Sequence, residues 1–195
     1  MKRNNVLVAV TGGIGSGKSA ALQILKDQGY ATFSCDKEVA ALYKKRRVLK
    51  KLKPAFPTAI TGKIKLSADK KEIARLCFSD DQKLDFLHKI LSGPALARAL
   101  KKGKKTAGVA FVEVPLLYEC GAEKLFDKVI VIKREKAARI AAVKTRSALT
   151  EKDVLKRIEK QIDYDAFDFK SAIVIENDGD KETLKSKLLA AVKNI

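Results

Sequence analysis

Apolar runs and helix-spaced stretches take turns along the chain. Val6–Val10 is apolar throughout, the pattern of a strand buried on both faces. Lys18 to Gln28 follows, with Ala21, Leu22 and Leu25 as an apolar stripe and Gly29 as its stop, and predicts a first helix. Tyr30 to Phe33 predicts a second strand. Val109 to Val114, Lys128 to Ile132 and Ala172 to Ile175 predict three more. Between the last two runs lies a helical stretch, Lys136 to Phe169, broken near Ser147 to Thr150. There Thr150-Glu151-Lys152-Asp153 has the form of a helix start. A closing helix is expected from about Lys181 to Lys193. Strands alternating with helices in this way predict an α/β fold, a doubly wound five-stranded sheet.

Residues 38 to about 103 depart from that rhythm. A dense basic run, Lys44 to Lys53, is broken by Pro54 and Pro57. Helical patterns over Lys70 to Phe78, Asp81 to Leu91 and Pro94 to Leu100 then predict a mostly helical insertion between core strands. Lys101 to Lys105 reads as a loop.

The junction of the first strand and first helix carries the clearest chemistry. Thr11-Gly12-Gly13-Ile14-Gly15-Ser16-Gly17-Lys18-Ser19 fits G-x-x-x-x-G-K-[ST]. Glycines let successive backbone N–H groups turn inward around a polyphosphate. The helix that follows points its positive end at the same anion. Lys18 has the reach for the β- and γ-phosphates, and the Ser19 hydroxyl suits Mg²⁺. A dinucleotide-binding loop would need a third glycine where Lys18 stands. Asp36, just past the second strand, is placed either as a ligand-facing carboxylate at a strand end or as a helix N-cap.

Composition narrows the setting. The 195 residues fit one domain with a hydrophobic content of 46%, enough for a core. The net charge of +18, from 41 basic and 23 acidic residues, suits an anionic partner. Aromatic residues make up only 6% and Trp is absent, which argues against a nucleic-acid stacking module. Cys35, Cys77 and Cys120 are widely spaced, which excludes a C-x-x-C zinc site and suits a reducing cytoplasm. No run is long enough to span a membrane, and the apolar run after MKRNN is too short for a signal peptide.

Taken together, these segments resemble the dephospho-coenzyme A kinase family along nearly the whole chain. Thr11–Ser19 resembles its phosphate loop, and Pro115-Leu116-Leu117-Tyr118-Glu119 its P-L-L-[FY]-E motif. Phe78-Ser79-Asp80 resembles a recurring F-S-D, Arg157 to Gln161 its R-[IL]-x-x-Q, and Ile175 to Gly179 its I-x-N-x-G near the adenine pocket. Three positions depart from the family. Ser34 stands where the first Asp of D-x-D is usual, Ser92-Gly93-Pro94 lacks the usual His, and Glu113 replaces an Asp.

The resemblance implies a P-loop nucleotide-kinase-like three-layer sandwich. Its core would be about 1–37 and 104–195, with a helical acceptor-binding insertion at 38–103 and a helical lid at 136–168. The implied reaction is phosphorylation of the ribose 3′-hydroxyl of dephospho-coenzyme A by ATP with Mg²⁺. It implies catalytic roles for Lys18, Asp36, Arg146 and Arg139, with Arg146 better placed than Arg139. ATP would be held by Gly13, Ile14, Gly15, Ser16, Gly17, Lys18, Ser19, Ala20 and Asn177, and the metal by Ser19 and Glu113. The basic runs at Lys44–Lys53 and Lys101–Lys105 read as general surface charge, with capture of the acceptor as the other reading. His88 reads as a helix-surface residue. Another nucleoside or nucleotide kinase shares the loop and lid. A degenerate ATP-binding relative and a basic nucleic-acid-binding protein are the remaining alternatives. The chain lacks N-K-x-D for guanine and the H-R-D of protein kinases.

Overall fold

A computed structural model describes residues 5–147 and 149–195. The basic N-terminal residues 1–4, Ala148 in the expected helix break, and the side chain of Phe78 in the F-S-D segment lie outside the described residues. The chain divides into two units, Met1–Ser34 with Leu100–Ile195, and Cys35–Ala99.

The first unit is built on five parallel strands: β1 (Asn5–Thr11), β2 (Ala31–Ser34), β5 (Gly108–Glu113), β6 (Lys128–Lys133) and β7 (Ile173–Glu176). Their order is β2-β5-β1-β6-β7, with β1 central as its unbroken apolar run requires. Leu7, Val8, Ala9 and Val10 are all buried, so both faces of β1 are covered. One face, carrying Val8, Val10, Phe111, Ile130 and Ile132, packs with Leu22 and Leu25 of helix α1 (Lys18–Asp27) and Leu184 and Leu188 of α8 (Lys181–Val192). The order reverses at β1, and such switch points place ligands at the carboxyl ends of the strands. Register sets Ser34 beside Glu113 on one side and Val10 beside Glu113 on the other.

The expected lid segment forms α6 (Lys136–Arg146) and α7 (Glu151–Glu159). Glu135 caps α6 through the Ala137 and Ala138 amides, and Thr150 with Asp153 forms a capping box on α7. The helix expected to continue to Phe169 stops at Glu159. Asp163 explains part of the stop, because its carboxylate accepts from the Asp165 and Ala166 amides and offers the backbone a turn instead of a helix.

The second unit contains α2 (Cys35–Leu42), α3 (Arg46–Leu52), α4 (Lys70–Phe78) and most of α5 (Asp81–Gly103). Three expectations are corrected here. Lys101 and Lys102, expected in a loop, lie in the last turn of α5. A small antiparallel hairpin, β3 (Ile60–Thr61) with β4 (Ser67–Ala68), interrupts the helices. Its turn needs Gly62, whose φ is 90°. The two helices expected on either side of Ser92-Gly93-Pro94 are one helix running through Pro94. Leu91, Ala95 and Ala99 sit at i, i+4 and i+8 and are buried, so a continuous packed stripe outweighs the bond lost at proline. The basic run over Lys44–Lys53 coincides with α3, which buries Val48, Leu49 and Leu52 and exposes its cations. His88 is exposed on α5. Among the described residues, no helix is long and apolar enough to cross a membrane.

Candidate functional site

The phosphate loop leaves β1 at Thr11 and enters α1 at Lys18. Gly12 has φ 147°, and a Cβ there would strike the carbonyl oxygen of Ile132 on the neighbouring strand. Gly17 has φ 104° and caps α1 with no side-chain bond. The first-turn amides of α1 therefore have no side-chain cap, the condition for an anion site at a helix start.

The loop is held from several sides. The Lys18 ammonium donates to the carbonyls of Gly12 (2.7 Å) and Gly13 (2.9 Å). The Ser19 hydroxyl donates to Glu113 Oε1 at 3.1 Å, and Glu113 is 5% exposed. Asn177 Nδ2 donates to the Ser16 carbonyl at 2.8 Å, while the Asn177 amide donates to Lys133 O on β6. The Ile14 amide donates to Gln161 Oε1 at 2.8 Å. Tyr164 is buried, with its hydroxyl 3.4 Å from Thr11 Oγ1. Burial pushes its phenol up to about 12.

Arg139, on α6, is only 3% exposed. Its guanidinium lies where a Cβ on Gly13 would point, and its carbonyl lies where one on Gly15 would point. Nη2 is 3.7 Å from Asp165 Oδ2. Among the described residues, Arg139 Nε and Ser16 Oγ are both buried without a hydrogen-bond partner. Such orphaned donors carry a cost that an anion in the loop would relieve, so the residues present fit a nucleotide polyphosphate.

Of the residues singled out from the sequence, Gly13 to Ser19, Glu113, Arg139 and Asn177 come together in the first unit. Ala20 follows in the exposed first turn of α1. Arg146 ends α6 with an exposed side chain, and among the described residues no hydrogen bond or ion pair ties it to the loop. Asp36 stands in the first turn of α2, in the second unit. Gln161 and Tyr164 join the loop without a role expected from the sequence. The R-[IL]-x-x-Q pattern flagged Gln161, but nothing in spacing tells that its amide oxygen reaches Ile14. Tyr164 carried no signal at all.

The Ser19–Glu113 pair also bears on a metal. A hydroxyl and a carboxylate are hard oxygen donors, and Mg²⁺ is usually bound by one or two carboxylates plus substrate phosphates rather than by a protein cage. Among the described residues no group of three His, Cys, Asp or Glu side chains could form such a cage.

Known proteins give the same assignment. The dephospho-CoA kinase family model matches residues 6–183. A dephospho-CoA kinase of Deinococcus radiodurans is 30% identical over 96% of this chain and 91% of its own. One from Thermus thermophilus is 29% identical over 99% and 93%. A crystal structure from Thermus thermophilus superposes with a TM-score of 0.81 at 28% identity, covering 97% of each chain. The shikimate kinase of Acinetobacter baumannii shares the fold, with a TM-score of 0.57 at 13% identity over 98% and 95%. The chain belongs to the dephospho-CoA kinase family.

Proposed function

We propose that this protein transfers the γ-phosphoryl group of ATP to the ribose 3′-hydroxyl of dephospho-coenzyme A, giving coenzyme A and ADP, the last step of coenzyme A synthesis. The hydroxyl oxygen attacks the γ-phosphorus, the bond to the β–γ bridging oxygen breaks, and ADP leaves. One observation carries the reading: in a chain of this family, the phosphate loop holds Lys18 on the carbonyls of Gly12 and Gly13 and, beside it, the Ser19 hydroxyl on the Glu113 carboxylate.

Phosphoryl transfer needs positioning and charge neutralisation more than covalent chemistry. Gly13 to Ala20 surround the triphosphate with their backbone, the Ile14 amide giving up Gln161 and the Ser16 amide giving up Gly13 O as Lys18 exchanges its two carbonyl partners for phosphate oxygens. Ser19 and Glu113 are the residues that would hold Mg²⁺, which when bound neutralises charge on the β- and γ-phosphates. Asn177 fixes the loop by its bond to Ser16. Asp36, two residues beyond the end of β2, orients the acceptor hydroxyl and takes its proton. Arg139 and Arg146 balance charge on the lid side.

The test is ADP release from MgATP with dephospho-coenzyme A, adenosine, nucleoside monophosphates or water as acceptor. ADP formed with dephospho-coenzyme A alone, with a 3′-phosphorylated product, is the expected result. ADP formed only with another acceptor, or with none, overturns the reading.

A further inference from the structure

The chain has eight Phe and four Tyr, and four of these twelve rings gather at one place. Tyr118 and Phe167 have ring centroids 5.1 Å apart, Tyr118 and Phe169 5.3 Å, Phe167 and Phe169 5.0 Å, and Tyr164 and Phe169 5.7 Å. The cluster adjoins the phosphate loop. Tyr164 packs toward Gly13 and meets Thr11 through its hydroxyl.

The segment that presents these rings has no helix or strand, yet it is pinned at several points. Gln161 accepts from the Ile14 amide, and the Ile162 amide donates to Glu119 Oε1 at 3.1 Å. Asp165 pairs with Arg139, and the Phe167 amide donates to the Asp163 carbonyl at 2.8 Å. A cluster whose only task was to staple this segment down would bury its rings. Tyr164 is buried, but Phe167 is 41% exposed and Tyr118 and Phe169 are half-buried. A firmly held, partly bare aromatic face beside a polyphosphate site is suited to a ligand that joins a flat ring to phosphates.

We propose that the face formed by Tyr118, Phe167 and Phe169 stacks on the adenine ring of a bound substrate. The inference rests on the kinase reading above, which supplies two adenine-bearing ligands, ATP and dephospho-coenzyme A. Stacking on an aromatic side chain uses the π-face that every base offers, and it needs a rigid platform rather than a set of polar partners.

The absence of Trp makes the test direct. Phe167→Trp places a single indole on the exposed edge of the cluster. Its fluorescence is titrated with ATP and with dephospho-coenzyme A, and with tripolyphosphate and 4′-phosphopantetheine as base-free controls. A saturable quench by either adenine ligand, absent with its base-free counterpart, is expected and identifies which substrate stacks. Phe167→Leu keeps apolar bulk but loses the ring. It should raise the KM of that same ligand about tenfold, with a smaller effect on kcat and a larger rise in KM than Phe167→Trp, which keeps an aromatic ring, produces. No quench by either ligand, equal quench by the base-free controls, or Leu serving as well as Trp overturns the proposal. The kinase reading is tested separately by wild-type turnover. Normal turnover without quench removes only the stacking face, whereas absent turnover removes the acceptor and leaves the ATP titration as the reading of the face.

Discussion

The hydroxyl of Ser19, in the first turn of α1, donates to the carboxylate of Glu113, the last residue of β5, across 3.1 Å. The bond links the phosphate loop's own helix to the neighbouring strand of the sheet. It also sets the two oxygen donors suited to Mg²⁺ side by side. Glu113→Gln keeps the shape and an acceptor oxygen but removes the charge. Its kcat/KM with MgATP should fall about 10–100-fold, with a higher Mg²⁺ concentration needed for half-maximal rate. Glu113→Asp should recover most of the loss. A Mg²⁺ titration of the three enzymes checks this, and an unchanged Mg²⁺ requirement in Glu113→Gln would remove Glu113 from the metal site.

Asn177 and Gly17 form a second joint. Gly17 has φ 104°, and a Cβ there would run into Asn177 Nδ2, the atom that donates to Ser16 O. Gly17→Ala should cost about 1–2 kcal/mol in backbone strain alone, a drop in Tm of about 2–8 °C, with ATP binding lost more severely because the tether is displaced. Asn177→Ala should raise the KM for ATP, and Asn177→Asp should raise it further. A carboxylate cannot donate to the Ser16 carbonyl and adds negative charge near the phosphates. If Asp proved the milder change, the donor role would be wrong.

How much of this was legible depended on whether a signal was local. The phosphate loop, the five strands and the start of α7 were readable because each is a contiguous pattern with one physical meaning. Pro94 misled for the same reason. Its local meaning is a break, but burial of Leu91, Ala95 and Ala99 along one face overrode it, and that burial is a tertiary fact. The β3–β4 hairpin was too short for alternation to register, with two residues in each strand. Arg139 and Gln161 stood in readable segments, but their contacts with the loop span 126 and 147 positions of the chain. Spacing carries no information about such contacts. Family resemblance reached the residues and left their bonds unspecified.

Asp36 lies two residues past the end of β2, in the first turn of α2, and Ser34 stands where the family usually has a further Asp. The proposed mechanism therefore assigns the acceptor hydroxyl to this one carboxylate. Asp36→Asn should leave ATP affinity within about threefold of wild type and lower turnover of dephospho-coenzyme A by about 10²–10⁴. Nucleotide binding by calorimetry beside single-turnover rates separates the two effects. Near-normal turnover would place the base elsewhere.

Tyr164 gives the fold a measurable alkaline limit. Burial disfavours the charged phenolate and pushes the phenol up to about 12, against about 10 for a free tyrosine. Between those values the unfolded chain has lost a proton that the folded chain keeps, so unfolding gains favour as pH rises. The contribution is complete below about pH 10 and shrinks by about 1.4 kcal/mol for each pH unit above it, until the folded-state phenol also ionises. Tyr43, in the second unit, moves the same way, to about 12, through burial and the neighbouring Cys77. Wild type therefore loses stability through both phenols, and Tyr164→Phe through one. Near neutral pH the substitution should cost about 1 kcal/mol for the lost contact with Thr11. Above pH 10 the gap should close and then reverse. Lysine titration is common to both proteins and cancels in the difference. Urea unfolding at several pH values from 8 to 12 reads it, and a gap that stayed constant across that range would mean that the Tyr164 hydroxyl is not held away from water.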